Sequence, residues 1–263
     1  MKINDREIVF AVACVRFFYK EGGTRDDDGA SGFFYVHDDD LYFITNRHVV
    51  VDKEDCHCPD ELRLKLHKDL DNLHDNGVYP LPLYDNSKPC WLEHPSGKDK
   101  IDVVAVPVDK ENISEFHVKP FTTDDLPQKI TIARLSIWDN LTVIGYPKGH
   151  YDGSHNLPII RSAAFASVPN VPFKNEPRVL IDAQLHDGTS GSPVILGPGI
   201  YYNTNLGMLE HRNGYALMGV HSGEFDRSET ELSLHNVWLA GLVPDIISQN
   251  SDYFDSLGCE LEN

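Results

Sequence analysis

Short apolar runs set apart by turn residues fill most of this chain, and they confine it to strands. Leu41-Tyr42-Phe43-Ile44, Val103-Val104-Ala105-Val106, Val143-Ile144 and Val179-Leu180-Ile181 are each too short for a buried helix. They are rich in the β-branched and aromatic side chains that suit a pleated surface. Gly, Pro, Asn and Asp separate such runs and helical stretches are few. The pattern predicts an all-β fold. At 263 residues the chain is large for one ordinary domain and suits two β units that share a core interface.

A second constraint is chemical. Asp187-Gly188-Thr189-Ser190-Gly191-Ser192-Pro193 follows the apolar run Val179-Leu180-Ile181 and sets a serine between glycines. Glycines allow the tight, partly left-handed path that aims two N–H groups at one spot, where a tetrahedral intermediate would carry its oxyanion. A serine hydroxyl is a weak nucleophile at neutral pH, so Ser190 needs a histidine base and a carboxylate that orients it. Both types occur beside strands: His48 follows Leu41-Tyr42-Phe43-Ile44-Thr45-Asn46-Arg47, and Asp102 enters Val103-Val104-Ala105-Val106. An acid at the mouth of an apolar strand requires a partner. Taken singly, each has a plain reading. His48 is one of 13 histidines, Asp102 is a turn residue, and the serine block is a Gly-rich hairpin.

In order along the chain, TNRHVV, DVVAV and GTSGSP resemble the three catalytic blocks of the chymotrypsin-like serine proteases, with bacterial glutamyl endopeptidases and Deg-type proteases as the closest-looking branches. Ser31-Gly32-Phe33-Phe34 and Val143-Ile144-Gly145-Tyr146-Pro147 are similar to strands of the same family, so the resemblance spans nearly the whole chain. It implies two packed six-stranded antiparallel β-barrels with the active site in the cleft between them, His48 and Asp102 coming from the first and Ser190 from the second. It also implies roles: His48 as general base, Asp102 holding the imidazole, Ser190 as nucleophile, and the N–H groups of Gly188 and Ser190 as the oxyanion hole.

Met218-Gly219-Val220-His221-Ser222-Gly223 falls where the family has the strand lining its specificity pocket. The Gly-Val-His-x-Gly arrangement resembles glutamyl endopeptidases and the picornaviral cysteine proteases that cut after Gln, which implies contact between His221 and the substrate side chain. An imidazole donates to a Gln or Glu carbonyl oxygen and, when protonated, pairs with a carboxylate. The expectation is cleavage after Glu or Gln, with Gln184, His221, Ser222 and Gly223 binding substrate. His221 packed as an ordinary strand histidine is the competing reading. A Thr common five residues before the nucleophile is here Leu185, and the acid that triggers trypsin-type zymogens is here Thr189.

The first barrel is expected over residues 1–125, ending its strands near Phe121, with Thr122 to Gln128 as connector, and the second over 126–263. Val237 to Pro244 followed by Asp245-Ile246-Ile247 predicts a last strand and a C-terminal helix capped at its start. The length leaves no room for a PDZ module.

Cysteines 14, 56, 58, 90 and 259 form an odd set without the family's disulfide spacing, which points to a reducing compartment. Cys56-His57-Cys58 holds ligand types for zinc, but two ligands one residue apart suit it poorly, and neither metal nor cofactor is expected. The apolar run Ile8 to Val15 is too short to span a membrane and is preceded by acids, unlike a secretory leader. Ala11-Val12-Ala13-Cys14 has the outline of a lipoprotein cleavage site without its leucine, and a cut there would remove the first strand.

The expected location is therefore cytoplasmic. A net charge of −18 disfavours nucleic acid and anionic membranes, and the runs Asp26-Asp27-Asp28 and Asp38-Asp39-Asp40 read as solvated turns. The expected partners are a protein or peptide substrate and a regulatory protein. Three functions remain open at this point: a serine endopeptidase of narrow target, a catalytically silent pseudoprotease or peptide-binding scaffold, and a non-peptidase acyl hydrolase using the same triad.

Overall fold

The computed structural model describes residues 7–52, 57–97, 100–128, 135–203, 208–212, 214–225 and 232–258. Cys56, Cys259 and the side chains of Asp26-Asp27-Asp28 lie outside that description.

The first half is built from β1 (Val12–Tyr19), β2 (Gly23–His37), β3 (Asp40–Thr45), β4 (Glu61–His67), β5 (Asn76–Pro82), the two-residue strands β6 (Tyr84–Asp85), β7 (Lys88–Pro89) and β8 (Leu92–Glu93), and β9 (Val104–Pro107). Seven of these form one antiparallel sheet in the order β5-β4-β1-β2-β3-β9-β8, while β6 and β7 pair separately. The first half is thus a seven-stranded ladder rather than a closed ring of six. Alternation drives the burial. In β4, Leu62 and Leu64 are buried while Glu61, Arg63 and Lys65 are partly exposed, the period of two expected when one face meets a core.

The second half comprises β10 (Asn140–Gly145), β11 (Ile159–Phe165), β12 (Arg178–Asp182), β13 (Pro193–Leu196), the hairpin β14 (Gly199–Asn203) and β15 (Met208–Arg212), β16 (Ala216–Glu224) and β17 (Leu234–Leu239). Six of them close into a barrel in the order β10-β11-β12-β17-β16-β13. Closure removes the free edges that would otherwise template aggregation.

Three apolar clusters hold the molecule. One is internal to the first sheet, around Phe34, Phe43, Leu62, Leu64 and Val104. A second fills the barrel, around Val143, Ile181, Val194 and Val237. The third joins the halves, with Phe33, Tyr35, Ile44 and Phe121 packed in one cluster with Ile144, Tyr146, Ile195 and Trp238. That shared cluster sets the position of one half against the other.

Phe121 ends the first half by bonding back to β2. Its N–H donates to Phe34 O and its carbonyl accepts from Val36 N–H, both at 2.8 Å. At the other end the chain makes two short helices, Leu242–Ser248 and Asp252–Ser256, where one was expected. The first starts at Leu242 behind Gly241 with no side-chain cap. Asp245 instead accepts the N–H groups of Tyr253 and Phe254 at 2.9 to 3.1 Å, so it caps the second helix. Gln249 Nε2 donates to Glu93 O at 3.1 Å, fastening the C-terminal segment onto the first sheet.

Candidate active site

His48 lies on the single-turn helix Arg47–Val50 that follows β3. Its Nδ1–H donates to Asp102 Oδ2 at 2.7 Å and its backbone N–H to Asp102 Oδ1 at 3.0 Å. A carboxylate can only accept, so this contact puts the proton of the neutral imidazole on Nδ1 and leaves the lone pair on Nε2. Asn46 steadies the same corner by donating from Nδ2 to Asp102 O at 2.7 Å.

Asp102 takes a third bond from outside its half. Ser222 Oγ, on β16 of the barrel, donates to Asp102 Oδ2 at 2.5 Å. Burial alone would raise the pKa of this carboxyl. The His48 charge and the bonds from the His48 ring, the Ser222 hydroxyl and the His48 N–H outweigh burial and hold it below the ordinary carboxylate range.

Ser190 sits between two glycines in left-handed conformation, Gly188 at φ +86° and Gly191 at φ +83°. Any larger residue there meets backbone as well as strain. A Cβ on Gly191 would lie 2.1 Å from Ser31 O, and one on Gly188 would lie 2.7 Å from Lys148 N. Several bonds pin the serine loop. Gly191 N–H donates to His221 O at 3.0 Å and Ser192 N–H to Thr189 O at 3.0 Å. Ser31 N–H donates to Ser190 O at 2.9 Å. Among the described residues, neither Gly188 nor Ser190 spends its N–H on a backbone carbonyl. Both N–H groups thus stay available for an oxyanion.

These bonds connect the three sequence-predicted residues. Ser190 is covalently followed by Gly191, Gly191 bonds to His221, His221 is followed by Ser222, and Ser222 bonds to the carboxylate that holds His48.

Ser190 opens onto a cavity of about 380 Å³ lined by Lys148, Leu185, His186, Asp187, Ser190, His221, Gly223, Glu224 and His235. His221 and Gly223 thus share a cavity with Ser190. His221 is buried, its Nδ1 lies 2.9 Å from Thr189 O and its Nε2 lies 3.2 Å from His235 Nδ1. A carbonyl only accepts, so Nδ1 carries the proton and Nε2 accepts from His235. Burial pushes the His221 pKa down to about 3, overriding the Thr189 bond, so the ring is neutral at physiological pH.

Gln184 is not brought to this cavity. It is exposed and its Oε1 lies 3.5 Å from Arg161 Nη2, which also donates to Gln184 O at 2.6 Å. Alternation along the chain after β12 explains this: Leu185 is buried and lines the cavity, so its neighbour points outward. Ser222 directs its hydroxyl at Asp102 rather than into the cavity. Sequence reasoning missed His235 and Lys148. His235 pairs with Glu224 across β17 and β16 and carried no motif of its own. Lys148 follows the Val-Ile-Gly-Tyr-Pro run by one residue and was legible only as its continuation.

Thr189, at the site of the absent zymogen acid, is buried and donates from Oγ1 to His186 O at 2.6 Å. His57 is occupied at both nitrogens, Nδ1 by Tyr19 Oη at 2.8 Å and Nε2 by Val49 O at 3.0 Å. Among the described residues, no helix is long and apolar enough to cross a membrane.

A search of curated protein sequences gives no significant match. Among solved structures, the chain is similar to the HtrA-type protease AlgW with tripeptide, at TM-score 0.52 and 14% identity, over 91% of this chain and 60% of that one. A variant of AlgW with tripeptide matches at TM-score 0.52 and 12% identity over the same shares. The chain thus spans less than two thirds of the length of these neighbours, and at such identities the likeness shows a common fold. The family model of the trypsin-like peptidase domain matches residues 30–199, a stretch that runs from β2 through the His48 and Asp102 corner to the end of the serine loop and β13. With the motifs, the barrel and the family model in agreement over most of its length, this chain belongs to the trypsin-like peptidase domain family.

Proposed function

We propose that the protein is a serine endopeptidase in which His48 deprotonates Ser190, Ser190 attacks the scissile carbonyl, and Asp102 orients the imidazole and stabilises its cation. The N–H groups of Gly188 and Ser190 receive the oxyanion, a contribution worth on the order of 2.7 to 4 kcal/mol per donor in comparable sites. His48 then protonates the leaving amine, and water resolves the acyl-enzyme. The observation that carries this reading is the Asp102 carboxylate, which accepts from His48 Nδ1–H at 2.7 Å and from Ser222 Oγ–H at 2.5 Å, Ser222 lying on the strand to which the serine loop is fastened.

The cavity beside Ser190 takes the side chain before the scissile bond. His221 is neutral, and the lining carries two carboxylates, Asp187 and Glu224, against the one ammonium of Lys148, so its net charge is negative. A carboxylate side chain meets like charge there, whereas a Gln amide does not, so Gln is favoured over Glu at neutral pH. The tripeptide in the AlgW structures accords with a peptide ligand. Cys14, Cys58 and Cys90 are free thiols, which supports a reducing, cytoplasmic setting. The boundary between the halves is assigned near residue 125, and a regulatory partner takes the place of the zymogen switch that Thr189 precludes.

The deciding experiment is mass-spectrometric profiling of a mixed peptide library with wild-type protein and with Ser190→Ala. Cuts made by the first and not the second establish the peptidase. Peptides bound by both and cut by neither would make the chain a peptide-binding scaffold instead.

A further inference from the structure

We propose that Lys148 selects an acidic residue on the leaving-group side of the scissile bond, an inference that rests on the peptidase reading above. Lys148 is exposed, lines the cavity that contains Ser190, and is the sole Lys or Arg among its described lining residues. Among the described residues its ammonium makes no ion pair or hydrogen bond. Its backbone, by contrast, is fixed. Lys148 N–H donates to Asp187 O at 2.5 Å, and a Cβ on Gly188 would lie 2.7 Å from Lys148 N, so the lysine packs directly on the glycine that offers its N–H to the oxyanion. Lys148 also holds φ +49°, a region where glycine or asparagine sits with less strain. A lysine kept in a strained position beside reacting groups points to use of its charge.

Barrel order gives the side on which that charge acts. β13 begins three residues after Ser190 and lies between β16 and β10. Ser190 therefore has the end of β16, with His221, Gly223 and Glu224, on one flank and the continuation of β10, with Lys148, on the other. A peptide lying along the Ser222-Gly223 edge places the side chain before the bond near His221 and His235. Past Ser190 it runs toward Lys148. Elsewhere the chain carries 41 acids against 23 Lys plus Arg, a field that repels acidic segments. One exposed cation, without an ion pair among the described residues, makes the leaving-group flank the exception.

The test uses matched peptides with Asp, Asn or Lys at the first or second position after the bond, and a control with Asp moved to before it. Cleavage by wild type, Lys148→Ala and Lys148→Glu is compared at low and high salt. In parallel, fluorescence anisotropy measures binding of the same peptides to Ser190→Ala with and without the Lys148 changes. The Asp peptides should be preferred over Asn by about fivefold, as fits a partly exposed ion pair. Lys148→Ala should erase the preference, Lys148→Glu should invert it toward the Lys peptide, and salt should shrink it. A preference unchanged in Lys148→Ala, or no preference in wild type, overturns the assignment. Failure to cut any peptide defeats the peptidase reading alone; the anisotropy series still decides the lysine, since equal binding of Asp and Asn peptides, or no binding of either, overturns it.

Discussion

Ser31, on a strand of the first sheet, holds Ser190 of the second half through its backbone, donating to the Ser190 carbonyl at 2.9 Å. Its hydroxyl adds a second tie. Ser31 Oγ donates to Gly188 O at 2.8 Å and accepts from Tyr146 N–H at 2.9 Å, and Thr45 Oγ1 donates to Ser31 O at 2.9 Å. One fully buried serine therefore sets the orientation of the Gly188–Thr189 and Ser190–Gly191 peptide units in the nucleophile's loop.

Ser31→Ala should lower both stability and turnover. It strips partners from the Gly188 carbonyl and the Tyr146 N–H inside the protein, and each buried orphan costs about 1 to 3 kcal/mol. Urea denaturation should show a loss of about 2 kcal/mol or more, and kcat should fall further than KM rises, because the backbone aimed at the oxyanion loosens.

Gly191→Ala should be worse. The new Cβ meets Ser31 O at 2.1 Å and Thr45 Oγ1 at 2.4 Å, in a residue held at φ +83°. The left-handed conformation alone costs roughly 1 to 2 kcal/mol. Thermal melting should fall sharply, and labelling of Ser190 by a serine-directed covalent probe should be lost; a variant that melts and labels like wild type would contradict this packing.

Asp102→Asn and Ser222→Ala separate orientation from support. Losing the carboxylate frees the imidazole tautomer and should cost about 10⁴ in kcat. Losing only the Ser222 hydroxyl removes one charge-assisted bond, about 1.5 to 3 kcal/mol at most, so a decrease of roughly tenfold to a hundredfold is expected. Pre-steady-state labelling rates at fixed pH read both.

Stability should decline as pH drops from about 6.5 toward 3. Burial lowers the His221 pKa from 6.5 to about 3, so in that window the unfolded chain binds a proton that the folded one refuses. The stabilisation is full above 6.5 and is lost as pH falls to the folded value. Burial lowers His67, His94 and His235 in the same direction, so they steepen the slope. His221→Gln should flatten the curve of unfolding free energy against pH between 3 and 6.5 without removing its sign.

Substrate preference should depend on the charged lining of the cavity and not on Gln184. Kinetics on matched peptides with Gln, Glu, Arg or Phe before the bond should rank Gln first at pH 7. Gln184→Ala should leave the ranking intact, because its side chain faces Arg161 outside the cavity. A preference for Arg or Phe would sink the pocket reading.

The fold class and the three blocks around His48, Asp102 and Ser190 were legible in the sequence because each is local. Strands declare themselves by alternation and turn residues, and a glycine-flanked serine needs only its own neighbours to turn. Long-range pairing was not legible. That Ser222 spends its hydroxyl on Asp102, 120 residues away, follows from β16 lying across the cleft from the first sheet. The cavity wall was half legible: His221 sits in a motif, whereas His235 enters only through cross-strand register and Gln184 leaves it by alternation with Leu185. The capping role of Asp245 shows the same limit, since its acceptors' partners are Tyr253 and Phe254 of a second helix.

By itself the sequence determined which residues could do chemistry, since side-chain type and backbone freedom are properties of a position and its neighbours. Only the tertiary structure decided how they are held and what surrounds them. A hydrogen bond across the cleft, the neutral state of His221 and the exposed position of Lys148 each depend on distance and burial, which arise when the closed barrel and the seven-stranded sheet pack on their shared core.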